Sequence, residues 1–328
     1  MVTELQRFKE IDLLKGMGIV LMIMGHQYFG LYFDKWIHAF HMPMFFIISG
    51  FLYRKPDNVK SAIQKKVKTL IVPYIFFAIV HLIIICIKDI YLKNISTKLP
   101  FYLYHILFMN TEGIPICGAI WFLTAIFFTY MMFVSLDFLC HDSYLKVLQI
   151  ATLTLLGFIL SMKNIRLPLS FDISLVCISL FFAGYILRKL YIKAQINQNL
   201  IWIGLLGVFF STLLIFINGY INLRLAYYGN PILFLISAIC MTISLYFICK
   251  FIVRKNSIII RELIFVGKNS IVYMGFNQLV LFFLNKISFS YIFINVLIKI
   301  ISLIISLIIL HIISNTISNS VFKTFIGK

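Results

Sequence analysis

The stretch that decides the architecture is residues 12–55, DLLKGMGIVLMIMGHQYFGLYFDKWIHAFHMPMFFIISGFLYRK. Two apolar runs, Leu13 to Phe33 and Trp36 to Tyr53, stand either side of Asp34 and Lys35. Each is close to the roughly 20 residues that a helix needs to cross the hydrocarbon core. The first run does not read as a secretory leader: Asp12 and Lys15 begin it, no small-residue cleavage site ends it, and a second apolar run follows at once. The pair reads as a hairpin of two membrane spans joined by a very short link. Cutting the remaining chain at its charged and Pro-, Gly- or Asn-rich breaks adds Leu70 to Ile87, Ala119 to Cys140, Val147 to Met162, Phe171 to Leu187 and Leu200 to Ile217. Ile232 to Phe251, Ser270 to Ile287 and Tyr291 to Ile313 complete the set. The expected fold is an all-α integral membrane protein of about ten transmembrane helices, a single membrane domain over residues 1–328 with no separate soluble domain.

Composition agrees with that expectation. The 328 residues are 62% hydrophobic and 12% charged, far from the roughly 25% charge of soluble chains. A net charge of +18 would raise nucleic-acid binding in a soluble protein, but here the Lys and Arg sit between apolar runs and read as topology signals. No nucleic-acid partner is expected; the partner is the lipid bilayer. The clusters Arg54 to Lys68 and Lys250 to Lys268 fall on the same side as Arg7, Lys9 and Lys15, which places both termini in the cytoplasm. The run PFYLYHILFMN, residues 100–110, is too short and polar to span, and is expected to lie on or dip into the outer face. Six scattered cysteines show no CxxC pair and read as buried thiols.

Ionisable groups inside a span cost several kcal/mol unless they face water or a partner, so the first hairpin is the place to look for chemistry. Lys15 and His26 are eleven residues apart, which puts them about 20° apart on one helix face and about 16 Å apart along it. His41, returning on the second span, is expected at a similar depth to His26. Acyl transfer to an alcohol needs a base near neutrality, which imidazole supplies, and cations to hold an anionic donor. Lys15, with Lys65, Lys66 and Lys68 of the following loop, could grip the phosphates of such a donor. Lys15 and the loop lysines also have a plain positive-inside explanation, and His41 lies two residues before Pro43, where it could serve only as partner to a kink. His26, His38 and His41 have no carboxylate or cysteine at ligand spacing, so no metal is expected.

Several motifs in order resemble the acyltransferase-3 family of integral membrane O-acyltransferases, in its fucose-O-acetylase-like branch. Lys15, ten residues and His26 resemble its basic-x10-His motif, and FHMPMFFIISGFLYRK from Phe40 to Lys55 resembles its second-helix signature. Lys65-x-x-Lys68 before Pro73-Tyr74, AIWFL around Trp121, FFAGYILRK ending at Lys189, YGNP around Asn230 and VGKNSIVYMGFNQ from Val266 to Gln278 extend the match over nearly the whole chain. The resemblance implies a ten-helix transferase that moves an acyl group, usually acetyl, from cytoplasmic acetyl-coenzyme A to a sugar hydroxyl. His26 would be the catalytic histidine and Lys15 the donor-binding cation. Many relatives carry a histidine near the end of the conserved block, where this chain has Asn277-Gln278; an amide can orient a substrate but not take a proton.

The expected site is therefore His26 with His41 for catalysis, and Lys15, Lys65, Lys66 and Lys68 for the donor. Trp121, Glu112, Asn269, Ser270 and Gln278 are expected near the acceptor, a cell-surface polysaccharide or lipid-linked glycan. Arg224, Tyr228 and Asn230 form a further polar cluster that could meet a lipid-linked phosphate. The Ile-, Lys- and Asn-rich composition suggests only an AT-rich bacterial genome; the expected location is the cell membrane, as a multi-pass protein. Two other classes fit a polytopic chain. A glycan transporter or flippase would be expected to show two similar halves, which the sequence lacks, and a ligand-binding membrane sensor would need no base.

Overall fold

The computed structural model describes residues 8–91, 95–111, 118–140, 142–194, 200–255, 257–284 and 292–327. Among these residues the chain is helical with no β-strand, only an isolated bridge between Asn222 and Tyr227. The first hairpin comprises α1 (Lys9–Gln27), α2 (Leu31–His38) and α3 (His41–Phe51). They are followed by α4 (Val59–Lys66), α5 (Val72–Tyr91), α6 (Ile95–Leu107), α7 (Trp121–Leu139), α8 (Ser143–Met162), α9 (Phe171–Ala194) and α10 (Ile201–Ile217). The last four are α11 (Pro231–Ile252), α12 (Ile258–Lys268), α13 (Ser270–Leu284) and α14 (Ile292–Ser318).

Six described helical segments are long and apolar enough to cross a membrane: Val59–Tyr91, Trp121–Leu139, Ser143–Met162, Pro168–Leu190, Pro231–Lys255 and Ile294–Ser318. Ile201–Ile217 and Ser270–Leu284 are shorter apolar helices. These eight overlay eight of the ten runs read from the sequence. The other two, in the first hairpin, differ in a way the local chemistry explains. The run Leu13 to Phe33 is broken after Gln27, where Tyr28 adopts a left-handed conformation (φ 52°) and Gly30 has φ 113°, a value open to glycine. Asp34 and Lys35 are consequently not a link but lie within the short helix α2. The run Trp36 to Tyr53 is broken in turn at Ala39–Phe40, and α3 begins at His41. Pro43 therefore does not kink a continuous helix. It sits in the first turn of a new one, where its missing N–H removes no internal hydrogen bond. The region 100–110 forms the end of α6, whose Phe101, Tyr104, Leu107 and Phe108 flank is exposed, as expected of a segment that does not span.

Two backbone-to-backbone contacts hold the centre. A Cβ on Gly16 of α1 would lie 1.9 Å from the Leu263 carbonyl oxygen of α12, and one on Gly267 would lie 1.8 Å from the Asp12 carbonyl oxygen. A Cβ on Gly50 of α3 would lie 1.8 Å from the Phe181 carbonyl oxygen of α9, and one on Gly184 would lie 1.9 Å from that of Ile47. Small residues at helix crossings let backbones approach closely, the main source of helix association where lipid is as apolar as leucine. Phe46, Phe181, Phe234 and Tyr273 are among the largest fully buried side chains of the core. Of the five described cysteines, Cys140, Cys177 and Cys249 are buried as expected, whereas Cys240 is exposed and Cys86 half-buried; Cys117 lies outside the described residues.

The Gly184→Ala variant is expected to lose about 1–3 kcal/mol to overpacking, seen as a fall of several degrees in Tm in detergent. Gly25→Ala, whose methyl would meet only ordinary contacts at 3.6 Å, is expected to leave Tm nearly unchanged.

Candidate functional site

Three cavities follow one another along α1. The first, of about 660 Å³, is lined by Lys15, Arg54, Lys65, Lys66 and Arg188 against a single carboxylate, Asp12. The α3–α9 crossing brings Arg54 and Arg188 to this mouth, and the Arg188 guanidinium donates to the Phe51 carbonyl at 3.1 Å and the Tyr53 carbonyl at 3.4 Å. Lys15 lies 4.0 Å from Asp12, one turn back on α1. Lys68 is not among the residues that line the mouth. The chain passes into a π-helical turn at Val67–Ile71, whose wider step changes the angular register after Lys66.

Lys15 also lines the second cavity, a neck of about 150 Å³ walled by Ile19, Met22, Met42, Phe45, Ile48, Phe122 and Met274, with Ser49 and Ser270 as its hydroxyls. Met22 and Met42 in turn line the third, a chamber of about 140 Å³ that gathers His26, His38, His41, Trp121, Asn222 and Arg224. Lys15 thus lines the first two cavities and His26 the third, on one uninterrupted helix, as their eleven-residue spacing predicted.

The chamber's three imidazoles are held differently. His41 Nδ1 lies 2.8 Å from the Ile37 carbonyl, and His38 Nδ1 lies 2.9 Å from the Asp34 carbonyl and 3.3 Å from Asp34 Oδ1. A ring nitrogen facing a carbonyl must carry the proton, so both rings keep Nε2 as an acceptor when neutral. Their planes stand at 87° with centroids 5.2 Å apart. Asp34 Oδ2 accepts a hydrogen bond of 2.6 Å from the Tyr220 hydroxyl. Partial burial and that carboxylate push the Tyr220 hydroxyl above the usual tyrosine range, so it remains a donor. No carboxylate is expected beside these histidines from spacing alone; Asp34, which reads as a link residue, is the partner of His38. The signal was its spacing four residues before His38, which becomes a contact only once both lie on one helix.

His26 has an amide neighbour instead. Gln278 Nε2 lies 3.3 Å from His26 Nδ1 and 3.4 Å from its Nε2, while Gln278 Oε1 accepts the Gly118 N–H. Because the amide oxygen is committed to a backbone donor, the group facing His26 is the NH₂. Arg224 reaches the chamber from the Asn218–Tyr228 hairpin, where its Nε donates to the Thr111 carbonyl. Trp121 is buried in the chamber wall, Ser270 is in the neck, and Asn269 is buried at the α12–α13 junction, where its amide donates to the Phe265 carbonyl at 2.9 Å. Glu112 lies outside the described residues. The cluster of Arg224, Tyr228 and Asn230 is not one site: Tyr228 packs between Phe158 and Phe234, and Asn230 caps α11 through the Ile232 and Leu233 N–H groups.

The family model described as "Acyltransferase domain", that of acyltransferase-3, matches residues 8–314, which include α1, the neck and every chamber residue. The chain belongs to the acyltransferase-3 family. No curated protein matches the sequence. As an acyltransferase of the membrane, the molecule has in succession a polar, cation-lined mouth, an apolar neck and an imidazole-lined chamber.

Gly118→Ala tests how the acyltransferase's chamber is built. Its methyl would lie 2.5 Å from Arg224 Nη1 and 3.1 Å from Gln278 Oε1, both ends of flexible side chains, so the fold accommodates it while the guanidinium and the amide move. We expect Tm to hold and acyl-transfer turnover to fall by about tenfold or more; an unchanged turnover would show that the position of Arg224 is immaterial.

Proposed function

We propose that this acyltransferase moves an acetyl group from cytoplasmic acetyl-coenzyme A to a sugar hydroxyl of a cell-surface polysaccharide or a lipid-linked glycan, as a multi-pass protein of a bacterial cell membrane. The observation that carries the reading is the succession of mouth, neck and chamber, with Lys15 shared by the first two and Met22 by the last two. Five cations against one carboxylate suit the phosphates of the donor, and the mouth's about 660 Å³ falls among ordinary small-molecule sites. Apolar walls from Ile19 to Met274 suit an uncharged arm and keep water from the path to the chamber. The small chamber favours an acetyl group over a long acyl chain.

In this reading Lys15, Lys65, Lys66, Arg54 and Arg188 hold the donor's phosphates. His26 meets the thioester where the neck ends. A chamber imidazole takes the acceptor's proton as general base, and Trp121 offers a ring face to the sugar. With the N-terminus in the cytoplasm, as the distribution of Lys and Arg favours, the mouth opens to the acetyl-coenzyme A pool and the chamber lies toward the outer leaflet.

The test is transfer of labelled acetyl from acetyl-coenzyme A by the purified protein in nanodiscs. His26→Ala is expected to lower turnover by about 10²-fold or more, with donor affinity retained. Lys15→Ala should raise the donor KM by about three- to tenfold. Ile19→Trp, which fills the neck, should stop transfer while coenzyme A still binds at the mouth. Absence of both donor binding and transfer in the native protein would overturn the proposal in favour of a transporter or sensor.

A further inference from the structure

The chamber holds three imidazoles, and acyl transfer needs one of them to carry a positive charge while the acceptor is deprotonated. The three environments are unequal. His26 faces the Gln278 NH₂, which lies 3.3 Å from Nδ1 and 3.4 Å from Nε2, so an amide donor stands against this ring, and the neutral ring keeps one N–H to offer. His41 is tied by Nδ1 to the Ile37 carbonyl, a neutral acceptor. His38 is tied by Nδ1 to the Asp34 carbonyl and lies 3.3 Å from the Asp34 carboxylate, which is itself buried and fixed by the Tyr220 hydroxyl at 2.6 Å. Among the described ion pairs, His38 is the chamber imidazole with a carboxylate behind it.

We propose that His38, backed by Asp34 and Tyr220, is the general base of this acyltransferase, and that His26 supplies an N–H to the thioester carbonyl oxygen. The assignment rests on the acyl-transfer reading above and divides the work of that site. His38 Nε2 takes the hydroxyl proton as the acceptor oxygen bonds to the acyl carbon. The carbon–sulfur bond then breaks, and the His38 imidazolium gives the same proton to the departing sulfur, which leaves as the thiol. Atoms and charge balance without a further reactant. Asp34 stabilises the imidazolium electrostatically without itself taking the proton, the same arrangement that orients the base of hydrolytic triads. Tyr220 holds Asp34 in place and is a positioning residue, as its hydroxyl faces the carboxylate and not the ring nitrogen that works.

His38 was not singled out as catalytic from the sequence because it belongs to no motif spacing with Lys15. Its place follows from the chain break at Ala39–Phe40, which ends α2 at His38 and starts α3 at His41, turning both rings into one chamber.

The experiment is thioester cleavage of acetyl-coenzyme A by the full chain in nanodiscs, with water or glycerol as the hydroxyl probe. The variants are His38→Ala, Asp34→Asn and Tyr220→Phe, with coenzyme A binding measured separately. His38→Ala is expected to lower kcat by about 10²-fold, leave the donor KM within about threefold, and recover turnover when imidazole is added. Asp34→Asn should cost about tenfold or more in kcat, and Tyr220→Phe less. A purely structural His38 would not respond to imidazole. Native kcat in His38→Ala, or a loss that imidazole leaves unchanged, overturns this assignment while native cleavage keeps the acyl-transfer reading intact. No cleavage by the native protein overturns that reading first, and the assignment with it.

Discussion

Everything at the site depends on how closely α1 approaches α12. Gly16 and Gly267 leave no room for a side chain, each facing a carbonyl of the other helix at a distance that only hydrogen can occupy. The same two stretches of chain meet again about three turns on, where His26 of α1 faces Gln278 of α13. At the glycine crossing Gly16 meets Leu263 and Gly267 meets Asp12, so α12 runs antiparallel to α1, and α13, which begins after Asn269, carries Gln278 back to His26. A loss of register at the glycine contact would therefore be felt at the histidine. This is the general consequence of packing helices backbone to backbone: the contact is short-ranged, so it fixes both distance and register.

The second constraint is electrostatic. Carboxylates placed among apolar helices are tolerated only with partners, and each buried aspartate with described contacts has one. Asp12 lies beside Lys15, Asp34 between Tyr220 and His38, Asp89 beside Tyr102, Asp137 between Tyr53 and Lys146, and Asp172 beside Arg166. The last two tie neighbouring segments at opposite ends of α7 and α9. Asp12 and Asp34 are different, since the ammonium or imidazole paired with each lines a cavity. The distinction separates structural ion pairs from those that face a solvent-sized space.

Much of this was legible in residues 12–55 and the later apolar runs. Lys15 and His26 share a helix face because α1 is unbroken between them, and periodicity needs nothing more than that. What periodicity could not report was the double break at Tyr28–Gly30 and Ala39–Phe40. Hydropathy is blind to it, since the broken segments are as apolar as the helices they join. Arg54 and Arg188 looked like topology charges because each ends a span; they become mouth residues only through the α3–α9 crossing, a contact between distant parts of the sequence. Asp34 was misread for the same reason as the break. Gln278, by contrast, was expected near the acceptor and stands against His26.

The amide at position 278 has a consequence for the neighbouring ring. Glutamine cannot exchange a proton at any accessible pH, so its hydrogen bonds are fixed in direction once one end is committed. The Gly118 N–H commits the oxygen, and the NH₂ must then face His26. A donor in that place opposes a positive charge on the ring, because an imidazolium has no lone pair left to accept it. The same geometry favours a neutral His26 whose free N–H points elsewhere. The chamber is thus asymmetric in its capacity for charge, with a carboxylate on the α2 side and an amide donor on the α13 side.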